Sequence, residues 1–147
     1  MTKALQILAA LKAMIRLALP AADIDVIAPD DDLPAPDRLS PGGRIIIEYG
    51  DPGEPEVEFG PVYNYDHQIP VLFAAPRSLE GESAAAVVAA MLQAFGAAIA
   101  ADRQLGGLVD YLDAIAPPID SLFVVGSTPA REAQAVVSAA YSTNNPL

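Results

Sequence analysis

Apolar residues return along this chain at two periods, and the periods divide it into helices and strands. Over residues 3–19, Leu5, Leu8, Leu11, Ile15 and Leu19 recur every three or four positions, with Lys3, Lys12 and Arg16 off that line. This spacing predicts an amphipathic helix that Pro20 ends. Over residues 84–101, Val87, Val88, Met91, Leu92, Phe95 and Ile99 form one bulky stripe. Ala85, Ala86, Ala89, Ala90, Ala97 and Ala100 lie opposite. Alanine favours the helix and lets another backbone approach closely. The second helix therefore has a broad face for a sheet and a smooth face for solvent or a neighbour. Acids and Ser83 precede it, and Gly106–Gly107 follow it, as cap chemistry expects.

A period of two marks the strands. Residues 24–27 predict a short one, and residues 44–49 a β-branched one. Residues 50–55 are rich in Gly, Pro and acid and predict a turn. Residues 56–59 alternate acid and apolar, so residues 44–59 are expected to form an acidic hairpin. The longest strand signal is residues 63–75. Tyr63, Tyr65, His67, Ile69, Val71 and Phe73 share one face; Asn64, Asp66, Gln68 and Leu72 share the other. Pro70 has no ladder donor and predicts an edge or a bulge nearby. Residues 108–115 predict a short apolar turn of helix or strand, residues 122–125 a buried strand and residues 134–142 a last strand. Residues 28–41 hold four prolines and predict a long exposed loop. The order helix, strands, helix, strands predicts an α+β fold: a mixed, largely antiparallel sheet with two main helices packed on one face.

Composition narrows the classes. A chain of 147 residues is expected to form a single domain, 1–147, burying roughly two-thirds of its unfolded surface. It has no cysteine, which excludes a disulfide scaffold and thiolate metal sites. The net charge is −11, so tight sequence-independent binding to nucleic acid is not expected. Eleven acids between Asp23 and Glu58 face only Arg38 and Arg44, so nine of the eleven net negative charges lie there. A secretory leader is a weak rival for the first helix, because Lys12 and Arg16 interrupt its apolar core. The uncharged run 84–101 meets a minimal length for a membrane span, but it is mostly alanine, contains Gln93 and lacks flanking basic residues. A helix on a sheet is the expectation.

Candidate chemistry is sparse. Asp30-Asp31-Asp32 lacks the alternating spacing that wraps carboxylates around calcium. His67 is the only histidine, and strand alternation points it away from Asp66. No G-x-S-x-G elbow and no glycine-rich phosphate loop is present. His67 is expected to be hydrogen-bonded among tyrosines; a small cytosolic hydrolase-like enzyme using His67 is the alternative, and a monomeric binding module a further one. Asp102 is expected to bond its own turn backbone. Tyr63, Tyr65 and Tyr141 are candidates for a subunit interface, since tyrosine suits surfaces apolar at one end and wet at the other.

Three stretches in order carry a resemblance. They are Tyr65-Asp66-His67-Gln68-Ile69-Pro70-Val71 on a strand; an alanine-rich helix running into Asp102-Arg103-Gln104-Leu105-Gly106-Gly107-Leu108-Val109-Asp110; and a final strand closing Tyr141-Ser142-Thr143, then Pro146-Leu147. Together they resemble the tail terminator (tail completion) proteins of long-tailed bacteriophages, prophages and gene transfer agents, over nearly the whole chain. The resemblance implies a structural virion protein with no catalytic motif, cofactor or metal. It implies a hexameric ring that caps the tail tube protein, ends tube polymerisation and presents a surface to the head-completion or connector protein. DNA would pass through the bore without specific binding, and no membrane is involved. The implied location is the virion, at the head–tail junction, after assembly in the bacterial host cytoplasm. Asp30, Asp31, Asp32, Asp51, Glu54, Glu56 and Glu58 are the candidate bore- or tube-facing acids.

Overall fold

The computed structural model describes residues 2–27, 40–76, 81–115, 121–125 and 128–147. Helix α1 runs Lys3–Ala18. Thr2 caps it, its hydroxyl accepting from Leu5 N at 3.3 Å; Leu19 N closes it on Ile15 O, and Pro20 cannot extend it. The buried residues are Ala4, Ile7, Leu8, Leu11 and Ile15. This corrects the expected stripe: Leu5 is 41% exposed, and Ala4 and Ile7 take its place. Helix α2 runs Ala84–Ala101 from a Ser83 cap that accepts from Ala86 N at 3.2 Å. Val88, Met91, Phe95 and Ile99 are buried as the stripe requires, with Val87 and Leu92 half-buried beside them.

Among the described residues, seven strands make one mixed sheet. They are β1 (Asp23–Ile27), β2 (Arg44–Glu48), β3 (Glu56–Glu58), β4 (Val62–Pro76), β5 (Tyr111–Ile115), β6 (Ser121–Val125) and β7 (Thr128–Thr143). The central path is β1-β2-β4-β7-β5, with β3 also on β4 and β6 also on β7. Only β1 and β2 are parallel; every other pairing is antiparallel. The spine is the β4–β7 ladder, fourteen residue pairs from Tyr63↔Thr143 to Pro76↔Ala130. β7 is thus much longer than the predicted 134–142. Within residues 108–115, the strand option holds from Tyr111 onward.

One face of the sheet is apolar by alternation. Ile69, Val71, Phe73 and Ala75 of β4, and Ala133, Ala135, Val137 and Ala139 of β7, are all buried there. Small alanines on β7 leave room for α2, and Phe95 of α2 meets Phe73 with ring centroids 5.4 Å apart. α2 is long and apolar enough to cross a membrane by length and composition. Its bulky stripe is spent on the sheet, and α1 packs beside it over β1. Ala86, Ala89, Ala90, Ala97 and Ala100 of α2 remain exposed, so the smooth face points outward.

The expected hairpin of residues 44–59 does not form. β2 pairs with β1 and β4, and β3 pairs with β4 alone. The apolar run Ile45-Ile46-Ile47 is buried, which an exposed hairpin cannot offer, so β2 goes inside and only β3 turns out with β4. Between β2 and β3 the register slips. Ile47 faces Val71 and Asp51 faces Gln68, four steps against three, so one extra residue bulges from this side. Pro70 sits opposite the slip, where no ladder bond is lost to its missing N–H. Gly50 occupies the bulge at φ 71°; a Cβ there would lie 2.0 Å from Gln68 O. Gly53 has a similar φ of 70° but open space around it.

This contrast yields a prediction. Gly53→Ala should lower unfolding stability by about 1 kcal/mol through left-handed strain alone. Gly50→Ala should lose that and a further ~1–3 kcal/mol, because rigid backbone must shift. Urea unfolding of both variants reads the difference; equal losses would place Gly50 outside any tight bulge.

Candidate functional site

The bulge builds the most enclosed polar position among the described residues. It leaves the Tyr49 carbonyl off the ladder, 2.6 Å from His67 Nε2. A carbonyl only accepts, so Nε2 carries the proton and Nδ1 is the bare nitrogen. Nδ1 is buried and has no hydrogen-bond partner. The Tyr49 and Tyr141 rings flank the imidazole, centroids 5.3 and 6.1 Å away. His67 is fully buried. Burial pulls its pKa below the ordinary histidine value, only partly opposed by the Tyr49 carbonyl and the Asp51 charge. Tyr141 is pushed up to about 12 by burial first, then by the neighbouring Tyr49 and Tyr65. Both groups are neutral near pH 7.

Alternation puts the adjacent chemistry on the other side of the sheet. Asp66 is exposed there, and Ser138 Oγ donates to its Oδ1 at 2.5 Å. Gln68 Nε2 donates to Asp66 Oδ1 and to Ser138 Oγ, at 3.2 and 3.1 Å. One rung along, Ser142 Oγ donates to Asn64 Oδ1 at 2.6 Å and lies 3.3 Å from Asp110 Oδ2. The serines and carboxylates thus cluster where His67 cannot reach them. Among the described residues, nothing gives the imidazole a nucleophile to activate. No group of three His, Asp or Glu among them is placed to hold a metal ion.

The turn after α2 is structural in its bonding. α2 closes at Asp102, before the glycines expected to cap it, and Asp102 Oδ2 accepts from Gly106 N at 2.9 Å. Gly106 and Gly107 take φ values of 67° and 93°. Arg103 reaches β5, donating to Leu112 O at 3.1 Å and pairing with Asp113 at 3.4 Å. Its guanidinium lies 5.3 Å from the Tyr111 ring centroid. The turn therefore anchors an edge strand.

The sequence-predicted residues separate into three places. Asp30, Asp31 and Asp32 lie outside the described residues. Asp51 accepts from Gly53 N at 2.8 Å. Glu54, Glu56 and Glu58 are exposed, the last two on β3 opposite Asn64 and Val62. Tyr63 and Tyr65 are half-buried. Tyr141 is only 4% exposed and stacks on Tyr65 at 5.4 Å, so its surface is used within the subunit.

Two surface features escaped the sequence reading. Phe59 is fully exposed at the β3–β4 turn, beside Val57 at 61%. Alternation over residues 56–59 predicts a half-buried strand but does not specify what would cover its apolar residues. A groove of about 540 Å³ runs between α1 and the end of α2, lined by Ala13, Met14, Leu17, Ala98 and Leu105 among others. Leu17, 87% exposed, stands two residues from both Ile15 and Leu19 and so lies off the predicted stripe. The chain matches no protein-family model and no curated protein.

A pH prediction follows from His67. Its folded pKa is below its unfolded value, so the unfolded state binds the proton more readily. Stability is full above the unfolded pKa of about 6.5 and falls as pH drops below it. The chain has one histidine, so its melting temperature should hold between about pH 8 and pH 7 and fall from about pH 6.5 to pH 5 mainly through this group. His67→Gln should flatten that slope while lowering stability overall. An unchanged slope would mean that His67 is not buried in its neutral form.

Proposed function

We propose that this chain is a structural protein of the tail terminator type, which caps a tail tube as a ring and forms the tail side of a head–tail joint. The observation that carries the reading is that the three stretches behind the resemblance meet in space. Tyr65 pairs directly with Tyr141, and Asp110 N donates to Ala140 O at 2.7 Å. The alanine-rich helix lies across β4 and β7, which carry the other two stretches. They form one connected unit at the heart of the sheet, as parts of a single architectural signature should.

Surface chemistry supports the same reading. A subunit of net charge −11, repeated around a bore, would repel passing phosphates and keep DNA from sticking. Asp51 and Glu54 are exposed candidates for that lining or for the tube end. The outward alanine face of α2 lets a neighbour come close without a large desolvation cost. The hydrolase alternative has less support, because His67 is enclosed, bonded to a backbone carbonyl and remote from the serine–carboxylate cluster.

The test is functional capping. Added to growing tubes of the cognate tail tube protein, the purified chain should bind one end and stop elongation, with rings at the tips by negative stain. Light scattering should then give a roughly sixfold mass for the released caps. Tubes that grow unchanged and carry no terminal density would reject the proposal.

A further inference from the structure

Tyr141 is only 4% exposed, yet its hydroxyl makes no hydrogen bond among the described residues. A phenol enclosed in this way gives up water without gaining a protein partner. It opens instead on a small pocket of about 80 Å³, which Tyr49 and Tyr65 also line. Tyr65 stacks on Tyr141 with ring centroids 5.4 Å apart, and its own hydroxyl already donates to Pro146 O at 3.5 Å. Burial first, and then the phenols of Tyr49 and Tyr65, push the Tyr141 pKa up to about 12. The Tyr141 hydroxyl therefore keeps its proton and has it to donate.

Another part of the wall is the start of α1: Thr2, Lys3 and Ala4 line the same pocket. Thr2 uses its hydroxyl on Leu5 N and its carbonyl on Gln6 N. Lys3 and Ala4 hold the first two helical positions, whose amides have no acceptor within the helix. A helix of 16 residues carries partial positive charge at that end, and the Lys3 ammonium adds a full one. No Asp or Glu stands among the described residues that line the pocket, in a chain with 19 acids. Asp51, next to the lining residue Pro52, turns its carboxylate to Gly53 N at 2.8 Å. The wall thus offers hydroxyl, amide and ammonium donors and no anion.

We propose that this pocket binds the carboxylate of a small free acid, with Tyr141, the first amides of α1 and Lys3 as its donors. The pocket has room for about three waters at ~30 Å³ each, which is the bulk of an acid of about two or three carbons. A carboxylate suits it better than inorganic phosphate, because one full positive charge faces the anion and the tyrosine rings receive an alkyl group. A bound acid gives the Tyr141 hydroxyl its acceptor and ties the start of α1 to the end of β7. The site goes beyond the tail reading and does not rest on it.

Acetate is the probe, added to the intact chain at about pH 7 with ionic strength held constant by chloride. The amide NMR signals of Lys3 and Ala4 should shift and saturate with a Kd of about 1–10 mM, the net charge of −11 keeping the affinity that low. Tyr141→Phe removes only the hydroxyl. It should weaken acetate binding by about tenfold, yet leave the melting temperature without acetate unchanged or higher, since no protein hydrogen bond is lost. Lys3→Gln should weaken binding by roughly fivefold. Acetate at about 100 mM should raise the melting temperature of the native chain, and that of Tyr141→Phe much less. No saturation by that concentration, a Tyr141→Phe chain that binds like the native one, or tighter binding of inorganic phosphate than of acetate would each overturn the site. So would a lower melting temperature of Tyr141→Phe without acetate, because the hydroxyl would then have a partner within the protein.

Discussion

Every strand in this protein depends on the pairing of β4 with β7. Those two strands share fourteen residue pairs, whereas β2 and β5 add only four and five. The short strands reach the sheet only through that spine: β2 and β3 share one side of β4, and β5 and β6 share one side of β7. A long two-stranded ribbon alone is marginal in water. It is stabilised here because the alternate residues of both strands are apolar and α2 covers them. The alanines of β7 matter as much as the bulky residues of β4, because they set how close α2 can come.

The bulge at Gly50 shows how one backbone feature serves several ends. It absorbs the missing donor of Pro70, shifts register before β3, and frees the Tyr49 carbonyl for His67. Without that carbonyl, a fully buried imidazole would have two unsatisfied nitrogens rather than one. The enclosed histidine and the exposed serine–carboxylate ladder are then the two sides of one strand. Their separation follows from the pleat and not from any specific repulsion.

The sequence revealed most of this where local chemistry and tertiary need agree. The stripe of α2, the alternation of β4, the bulge near Pro70 and the Asp102 turn all reflect short-range rules and were legible. Misreadings fell where partners come from far along the chain. Residues 44–49 were recognised as a strand, but nothing local says that Ile45-Ile46-Ile47 pairs with residues 71–73 rather than with residues 56–58. The length of β7 was missed at its first half because Pro129 and the charged Arg131 and Glu132 mask the strand pattern. For α1, Leu5 and Leu8 are equivalent by period, and only the position of β1 and α2 decides which is covered. Burial of Tyr141 likewise depends on Tyr65 lying opposite it and His67 diagonal to it, 76 and 74 residues earlier.

The spine also sets the order of events in synthesis. Its partners are far apart in the chain, from Pro76 with Ala130 to Tyr63 with Thr143. Contacts of such long sequence separation close slowly, since loop entropy is lost before they reward it. Residues 62–76 leave the ribosome early and must wait for residue 143 before their apolar side finds its mate. Until then α1, β1, β2 and α2 have only half a sheet to rest on. A nascent chain of this kind carries an unpaired β4 while the residues between the two strands are made, and wrong strand pairing competes during that interval.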